Sequence, residues 1–228
     1  MKIFGYEIGS RQVAFFLLFS ALALLLFQFN FAQILGVEPS PSFTFFQFIG
    51  PIAGGILGPL GGVATILAVS VSNFVLTGQA LELPIIVSVF TMAAAAVYFG
   101  AKSRPIALVG PVAMVLFWLH PEGSVAWIYP LFWVIPVLAT FYKKNLFARS
   151  LGSTFTAHAI GSVAYLYAFN IPAEVWFALI PVVAFERLLF ASGISVSFVA
   201  VTTALKYVSA RIDLSFLNIE EKYSLVRA

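Results

Sequence analysis

Apolar runs of membrane-spanning length follow one another along almost the whole sequence. The hydrocarbon core of a bilayer is about 30 Å thick, and a helix needs about 20 mostly apolar residues to cross it. Only 9% of the 228 residues are charged and 61% are hydrophobic, which leaves too little polar surface for a water-soluble globule. The sequence therefore predicts an all-α, polytopic integral membrane protein of the cell membrane. It excludes a soluble enzyme, a disordered chain and, with no cysteine, a disulfide-stapled secreted domain.

The charged residues divide the chain into eight apolar runs, several of them shorter than twenty residues. We predict that residues 1–208 form one helical transmembrane domain, and that residues 209–228 form a short cytoplasmic tail. Apolar residues alternate with charges in that tail, which suits a short amphipathic helix at the membrane surface. The eight runs are residues 13–35, 43–57, 60–77, 84–100, 106–119, 125–142, 151–169 and 175–208.

The basic residues predict the orientation, because short cytoplasmic loops are enriched in Lys and Arg. They fall into four clusters, and the loops between these clusters carry acidic residues instead. Both termini are therefore expected in the cytoplasm, and the scattered basic residues make no nucleic-acid surface. The clusters are Lys2 and Arg11; Lys102 and Arg104; Lys143, Lys144 and Arg149; and Lys206, Arg211, Lys222 and Arg227, while the loops between them carry Glu38, Glu82, Glu122 and Glu174.

This orientation requires residues 43–77 to enter the membrane and return, since Glu38 and Glu82 are both expected outside. A single kinked helix would place Lys102 and Arg104 outside, so we reject it. The remaining interpretations are two short spans joined near Gly58, which give eight crossings, or six crossings plus a re-entrant hairpin packed within protein.

Small residues recur every fourth position in the same stretch, at Gly50, Gly54, Gly58 and Gly62. This spacing lets helix backbones approach closely, so we predict contacts with another helix or a partner subunit. Prolines at positions 51 and 59 interrupt helical hydrogen bonding. The stretch therefore also fits a broken helix whose freed backbone groups line a cavity.

Polar residues inside the apolar runs are the candidate site residues, because such groups are costly in a membrane. Glu186 and Arg187 lie roughly 18 Å into the last run by helical rise. They form either a structural ion pair or a site for an anionic substrate. His158, with hydroxyl residues four positions to either side, is either an interhelical hydrogen-bonding group or a substrate donor. The predicted small-molecule pocket, below an outer mouth, is bounded by Gln33, Gln47, Asn73, His158, Glu186 and Arg187.

Four aromatic residues fall beside the expected outer loops. Trp and Tyr are enriched at membrane interfaces, so an aromatic belt is the first interpretation and a ring-stacking lid over a ligand is the second. These residues are Trp118, Trp127, Tyr129 and Trp176.

An enzymatic role is not expected. Ser192, His158 and Glu186 could be read as a serine, a base and an orienting carboxylate, but nothing in the sequence places them within hydrogen-bond reach. The position two before Ser192, where intramembrane serine proteases carry glycine, is Phe190. The two histidines do not make a metal site, no cofactor is expected, and the sequence has no phosphate-binding loop for ATP hydrolysis.

Together these features resemble the substrate-binding (S) subunits of energy-coupling-factor transporters. The resemblance covers about the first half of the chain: residues 49–62 continuing to Asn73 and Gly78 are similar to the second and third helices of that family, and residues 84–102 to the following helix. It implies a membrane-embedded subunit that captures a vitamin, a related small molecule or a metal ion. The resemblance also implies a transmembrane coupling subunit and two ATPases as partners. Alternatives are a structural or assembly subunit of a larger membrane complex and a stand-alone secondary transporter.

Overall fold

The computed structural model describes residues 2–3, 6–7, 9–33, 42–78, 80–101 and 105–226, and within these ranges the chain is mainly helical. The helices are α1 (Ser10–Phe27), α2 (Phe46–Thr77), α3 (Leu83–Gly100), α4 (Val109–Leu119), α5 (Pro121–Val125), α6 (Val134–Ala139), α7 (Leu146–Phe169) and α8 (Ala173–Ser209). Single 3₁₀ segments cover Pro105–Leu108, Tyr129–Trp133, Thr140–Tyr142 and Glu221–Tyr223. Strand β1 (Lys2–Ile3) pairs antiparallel with β2 (Tyr6–Glu7), and β3 (Asn30–Gln33) pairs antiparallel with β4 (Ser42–Thr44).

The all-α fold class is confirmed. Within the described ranges, α1, α2, α3 and α8 are long and apolar enough to cross a membrane, and Pro105–Leu119 and Tyr129–Tyr142 are shorter apolar helical stretches. Local signals set several helix ends. Gly78 and Asn170 adopt the left-handed conformation that commonly ends a helix, and the Asn145 side chain accepts a hydrogen bond from the Ala148 N–H at the start of α7.

Helix α2 is a helical hairpin, with its reversal at Gly58. That residue has φ 78° and ψ 167°, a conformation that favours glycine. In a continuous helix the α-carbons of residues 54 and 62 would lie about 12 Å apart. Here a Cβ built on Gly62 would lie 2.6 Å from the Gly54 Cα, so the chain must turn back between them. The first arm, residues 46–57, is about 18 Å long, and the second arm, residues 59–77, is about 28 Å long.

The predicted glycine spacing corresponds to close packing of backbones around the first arm. A Cβ on Gly54 would lie 1.8 Å from the Ala96 carbonyl oxygen, and one on Gly100 would lie 2.1 Å from the Gly54 carbonyl oxygen. A Cβ on Gly50 would meet the Met92 sulfur at 2.6 Å. Helix α3 therefore packs directly against the first arm. Gly58 differs from the other three glycines because it forms the turn.

Two runs have boundaries that differ from the prediction. The first helix was expected to continue to residue 35, but α1 ends at Phe27 and the chain enters β3 at Asn30. There the Phe29 carbonyl accepts a hydrogen bond from the Phe45 N–H, so strand pairing replaces the helical ladder. The run 125–142 is divided into short segments, and it contains prolines at positions 130 and 136.

Buried side chains form two clusters. One joins both arms of α2 with α1, α3 and the second half of α8, and it includes Phe46, Ile52 and Phe198. The other joins α4, α7, the Tyr129–Trp133 segment and the first half of α8, and it includes Phe117 and Trp176.

The C-terminal tail, residues 210–226, packs on the turn of the hairpin. The prediction of a short surface helix is wrong, because the segment consists of turns and one 3₁₀ segment. The last carbonyls of a helix lack intrahelical donors, and the Asn218 N–H donates to one of them, the Ile56 oxygen, at 2.9 Å. Leu217, 7% exposed, joins the first buried cluster. These contacts to the core hold the tail in an irregular conformation.

Basic residues from distant parts of the chain meet this tail. Arg11 of α1 lies 3.8 Å from Asp213, and Arg149 of α7 forms an ion pair with Glu220. Three further contacts are Lys206 Nζ to Glu221 Oε1 at 2.6 Å, Lys222 Nζ to Glu220 Oε2 at 3.6 Å, and the Tyr223 hydroxyl donating to the Lys144 oxygen at 2.7 Å. The hairpin turn, the tail and these basic residues therefore share one end of the helix bundle.

Candidate ligand-binding cavity

A cavity of about 650 Å³ lies between the two buried clusters. Its wall comes from both arms of α2, from α3, α7 and α8, and from β4 and the Tyr129–Trp133 segment. This volume is within the range of typical small-molecule sites, ~300–1,000 Å³. The cavity lies in the half of the bundle away from the tail, because it contacts the end of the second arm near Thr77 and the first half of α8.

The structure brings five of the six predicted pocket residues to this one cavity. Their positions along the chain span 140 residues, so the helix packing and not the local sequence collects them. Gln33 lies in β3, and its side chain is outside what the structure describes. The five lining residues are Gln47 on the first arm, Asn73 on the second arm, His158 on α7, and Glu186 and Arg187 on α8.

Asn73 connects the second arm to the end of α1. Its Oδ1 accepts a hydrogen bond from Gln28 Nε2 at 2.9 Å, and Gln28 Nε2 also donates to the Leu24 oxygen at 3.1 Å. Asn73 is 8% exposed. Gln28 follows the last residue of α1, so this bond fixes one edge of the cavity.

Glu186 and Arg187 form an ion pair at the cavity wall. Arg187 Nη2 donates to Glu186 Oε2 at 3.3 Å, and Nη1 donates to the Thr154 hydroxyl at 3.3 Å. The guanidinium lies over the Phe190 ring, 4.3 Å from its centroid, and 5.4 Å from that of Phe43. The Arg187 Nε is buried and has no hydrogen-bond partner among the described residues. The predicted ion pair is therefore present and lines the cavity, whereas the alternative role, binding of an anionic substrate, stays a prediction.

Hydrogen bonds fix the tautomer of His158. The Trp133 Nε1–H donates to His158 Nδ1 at 3.0 Å, and an indole nitrogen is a donor only. Nδ1 is therefore an acceptor, and the neutral imidazole carries its proton on Nε2. This nitrogen lies 3.0 Å from the Tyr129 hydroxyl oxygen and 3.3 Å from that of Ser162. The histidine donates toward these hydroxyls, so the Tyr129 hydroxyl hydrogen must point away from it.

Two of the four predicted belt aromatics are instead part of the cavity. Tyr129 is 1% exposed and Trp176 is 2% exposed, and both line the cavity, so the belt interpretation is wrong for them. Trp176 Nε1 donates to the Ile171 oxygen at 3.0 Å, which holds its ring inward. Trp118 and Trp127 are 37% and 58% exposed, as an interfacial position requires.

Further polar residues of the wall were absent from the predicted pocket. Tyr129 lies in a 3₁₀ segment, where helical periodicity gives no information about its direction. Thr91 and Ser162 are hydroxyl residues on α3 and α7, and hydroxyls are too common in membrane helices to mark a site on their own. The spacing of Ser162 four residues after His158 was the one usable signal.

The comparisons with known proteins place this chain beside a protein without an assigned function. No family model matches the chain, and no solved structure matches it. An uncharacterized protein of Methanocaldococcus jannaschii is 24% identical over an alignment that covers 97% of this chain and 88% of that protein. The fold and the cavity, more than any relative, define the class of this protein: a helical protein with membrane-compatible helices and a cavity lined by both polar and apolar side chains.

Proposed function

We propose that this chain is the membrane-embedded substrate-capture subunit of a small-molecule uptake transporter. The observation that carries the proposal is the cavity, in which five polar residues from four helical segments surround a space of ligand size. The lining side chains suit noncovalent binding, because they are amides, one ion pair and a histidine whose orientation is fixed by its hydrogen-bond partners.

For the topology, we propose that the two arms of α2 enter the membrane and return, either as two short spans within eight crossings or as a re-entrant hairpin beside six crossings, with both termini in the cytoplasm. The support is the meeting of Arg11, Lys144, Arg149 and Lys206 with the tail at one end of the bundle. Basic residues favour the cytoplasmic side. The cavity lies toward the opposite half, which is the position needed to receive a molecule from outside the cell.

Energy for uptake would come from other subunits, because the sequence has no phosphate-binding loop of the ATPase type. The resemblance to S subunits of energy-coupling-factor transporters supplies the expected partners, a transmembrane coupling subunit and ATPases. The glycine-lined first arm is already packed against α3, so a partner would use other exposed helix surfaces.

The test is gentle affinity purification of the tagged protein from its native membrane, followed by mass spectrometry of both proteins and extracted small molecules. We expect a coupling subunit, ATPases and one enriched small molecule. Asn73→Leu and His158→Ala should lose the small molecule and keep the protein partners. Ser192→Ala, an exposed position on α8 outside the cavity, is the matched control.

Three outcomes would contradict the proposal. Recovery of an unrelated multi-subunit complex without a small molecule would indicate a structural subunit. Proton-coupled flux by the isolated chain in liposomes would indicate a secondary transporter. An extracted molecule that both cavity variants retain would place binding elsewhere.

A further inference from the structure

We propose that the cavity binds a ligand without net charge that carries an N–H donor beside an oxygen acceptor on a flat ring system. This inference rests on the proposed capture function and names the chemical class of its ligand. It follows from the charge, the hydrogen-bond directions and the aromatic composition of the wall.

The charges of the cavity wall cancel where the wall is buried. Among the described lining residues, the side chains that ordinarily carry a charge at neutral pH are Glu82, Glu186 and Arg187, and His158 is neutral. Glu186 and Arg187 compensate each other at 3.3 Å, and Glu82 is exposed at the rim, where water screens it. A net anion would meet the Glu186 carboxylate and a net cation the guanidinium. Either would also lose its hydration without gaining an uncompensated counter-charge.

The same pair offers a donor and an acceptor side by side. A guanidinium has five N–H groups, and among the described residues Arg187 has acceptors at Glu186 and Thr154 alone. A carboxylate accepts about four hydrogen bonds, and one Glu186 oxygen receives the bond from Arg187. A ligand that carries an oxygen acceptor beside an N–H donor matches these two side chains, because the oxygen accepts from Arg187 and the N–H donates to Glu186.

The histidine cluster adds a second donor. Because Trp133 fixes the proton of His158 on Nε2, the Tyr129 hydroxyl cannot donate to that nitrogen. Its hydrogen is donated to Ser162 or to a bound molecule. Where a ligand oxygen or ring nitrogen takes the place of Ser162 as acceptor, the Tyr129 hydroxyl is a hydrogen-bond donor to the ligand. His158 does not act as a base that removes a proton, because its Nδ1 accepts from Trp133 and its Nε2 carries the proton.

Aromatic side chains supply the remaining surface for a flat ring. Rings from β4, both arms of α2, α7, α8 and the Tyr129–Trp133 segment line the cavity. Aromatic surfaces bind flat rings by stacked or edge-to-face contacts. The aromatic lining includes Phe43, Phe46, Phe74, Tyr129, Tyr165 and Trp176.

Four compounds that share one ring and differ only in the head group test the proposal. They are indole-3-propionamide (neutral amide), tryptophan (zwitterion), indole-3-propionate (anion) and tryptamine (cation). Affinities are measured by equilibrium dialysis against the purified full-length chain in lipid nanodiscs at pH 7. We expect the amide or the zwitterion to bind at least about tenfold more tightly than both charged compounds, a difference of ~1.4 kcal/mol.

Whichever of indole-3-propionamide and tryptophan binds more tightly distinguishes two kinds of ligand without net charge. Tighter binding of the amide indicates a neutral amide edge, as in a heterocycle, whereas tighter binding of tryptophan indicates an amino-acid zwitterion. Equal or tighter binding of the anion or the cation overturns the inference, and so does binding of none of the four. Capture itself would still stand if the purified protein released another small molecule, so the two failures are distinguishable.

Variants of the ion pair provide the second readout. Glu186→Gln leaves the guanidinium uncompensated, so the ratio of propionate to tryptamine affinity should rise at least about tenfold. Arg187→Gln should lower the same ratio by a similar factor. If Arg187→Gln fails to fold, Glu186→Gln decides alone, and Ser192→Ala should leave the ratio unchanged. An unchanged ratio in Glu186→Gln would show that the ion pair does not contact the head group and would overturn the proposal.

Discussion

At Gly54 a hydrogen atom faces the backbone of α3 where any other residue would place a carbon. A Cβ at this position would lie 1.8 Å from the Ala96 oxygen, far inside van der Waals contact, and that oxygen belongs to a helix backbone. Neither partner has a flexible end that could move aside. Substitution must therefore separate the first arm from α3.

We predict that Gly54→Ala lowers the free energy of unfolding by at least about 1–3 kcal/mol, the usual cost of overpacking. Thermal unfolding of the purified protein in detergent measures the change. Gly161→Ala is the matched control, because its new Cβ would meet only the Thr91 methyl at 3.4 Å, an ordinary contact. Equal melting temperatures for the two variants would contradict the close packing of the first arm on α3.

Among individual residues, the sequence was most informative for charged and amide side chains. Glu186, Arg187 and Asn73 were candidates because polar groups inside apolar runs are rare and costly, and all three line the cavity. Tyr129 and Trp176 were assigned to the membrane interface. The same aromatic residue types are enriched at a membrane interface and around a cavity. Only the tertiary packing shows in which of these two places a given residue lies.

At the scale of elements, charge placement was a better guide than hydropathy. The reversal within residues 43–77 followed from keeping Lys102 and Arg104 on the side of the other basic clusters, and the chain does reverse at Gly58. Hydropathy alone missed the end of α1, because no charged residue, glycine or proline interrupts the chain from the end of α1 through β3, where the backbone changes to strand pairing. The tail was also missed, since its conformation depends on the hairpin turn 162 residues earlier.

The ion pair between Arg149 and Glu220 should contribute measurably to the attachment of the tail. Their side chains are 10% and 30% exposed, and the guanidinium also donates through Nε to the Phe99 oxygen at 2.6 Å. We predict a coupling energy of about 1–2 kcal/mol in a double-mutant cycle with Arg149→Gln and Glu220→Gln, after allowance for partial solvent screening.

The exposed pair of Arg11 and Asp213 provides the reference for this measurement. Both side chains are 65% exposed and 3.8 Å apart, so their coupling should lie near the ~0–0.5 kcal/mol of surface pairs. Chemical unfolding of the four variants of each cycle measures both values. Equal coupling in the two pairs would mean that the tail is not held by Arg149.

For the whole molecule, the proposed topology can be tested directly because the chain contains no cysteine. We predict that Glu82→Cys reacts with a membrane-impermeant maleimide added to intact cells. Lys222→Cys should react only after the membrane is opened. Both positions are largely exposed in the structure, so access to the reagent depends on the side of the membrane.

Labelling of both cysteines from the same side would contradict the odd number of crossings that the proposed topology places between residues 82 and 222. Labelling of Glu82→Cys only in opened cells, with Lys222→Cys labelled in intact cells, would invert the whole orientation and place the cavity toward the cytoplasm. The cavity would then face the wrong side for uptake.

The hydrogen bond from Asn218 to Ile56 also concerns the order of synthesis. Its two residues are separated by 162 positions. At ribosomal rates of about 5–20 residues per second, the hairpin turn is made roughly 8–32 s before its partner emerges. During that interval the Ile56 carbonyl must accept a hydrogen bond from water or from the insertion machinery. The hairpin is therefore first formed without this native hydrogen bond. Completion of the fold is thereby delayed until nearly all of the described chain has been translated.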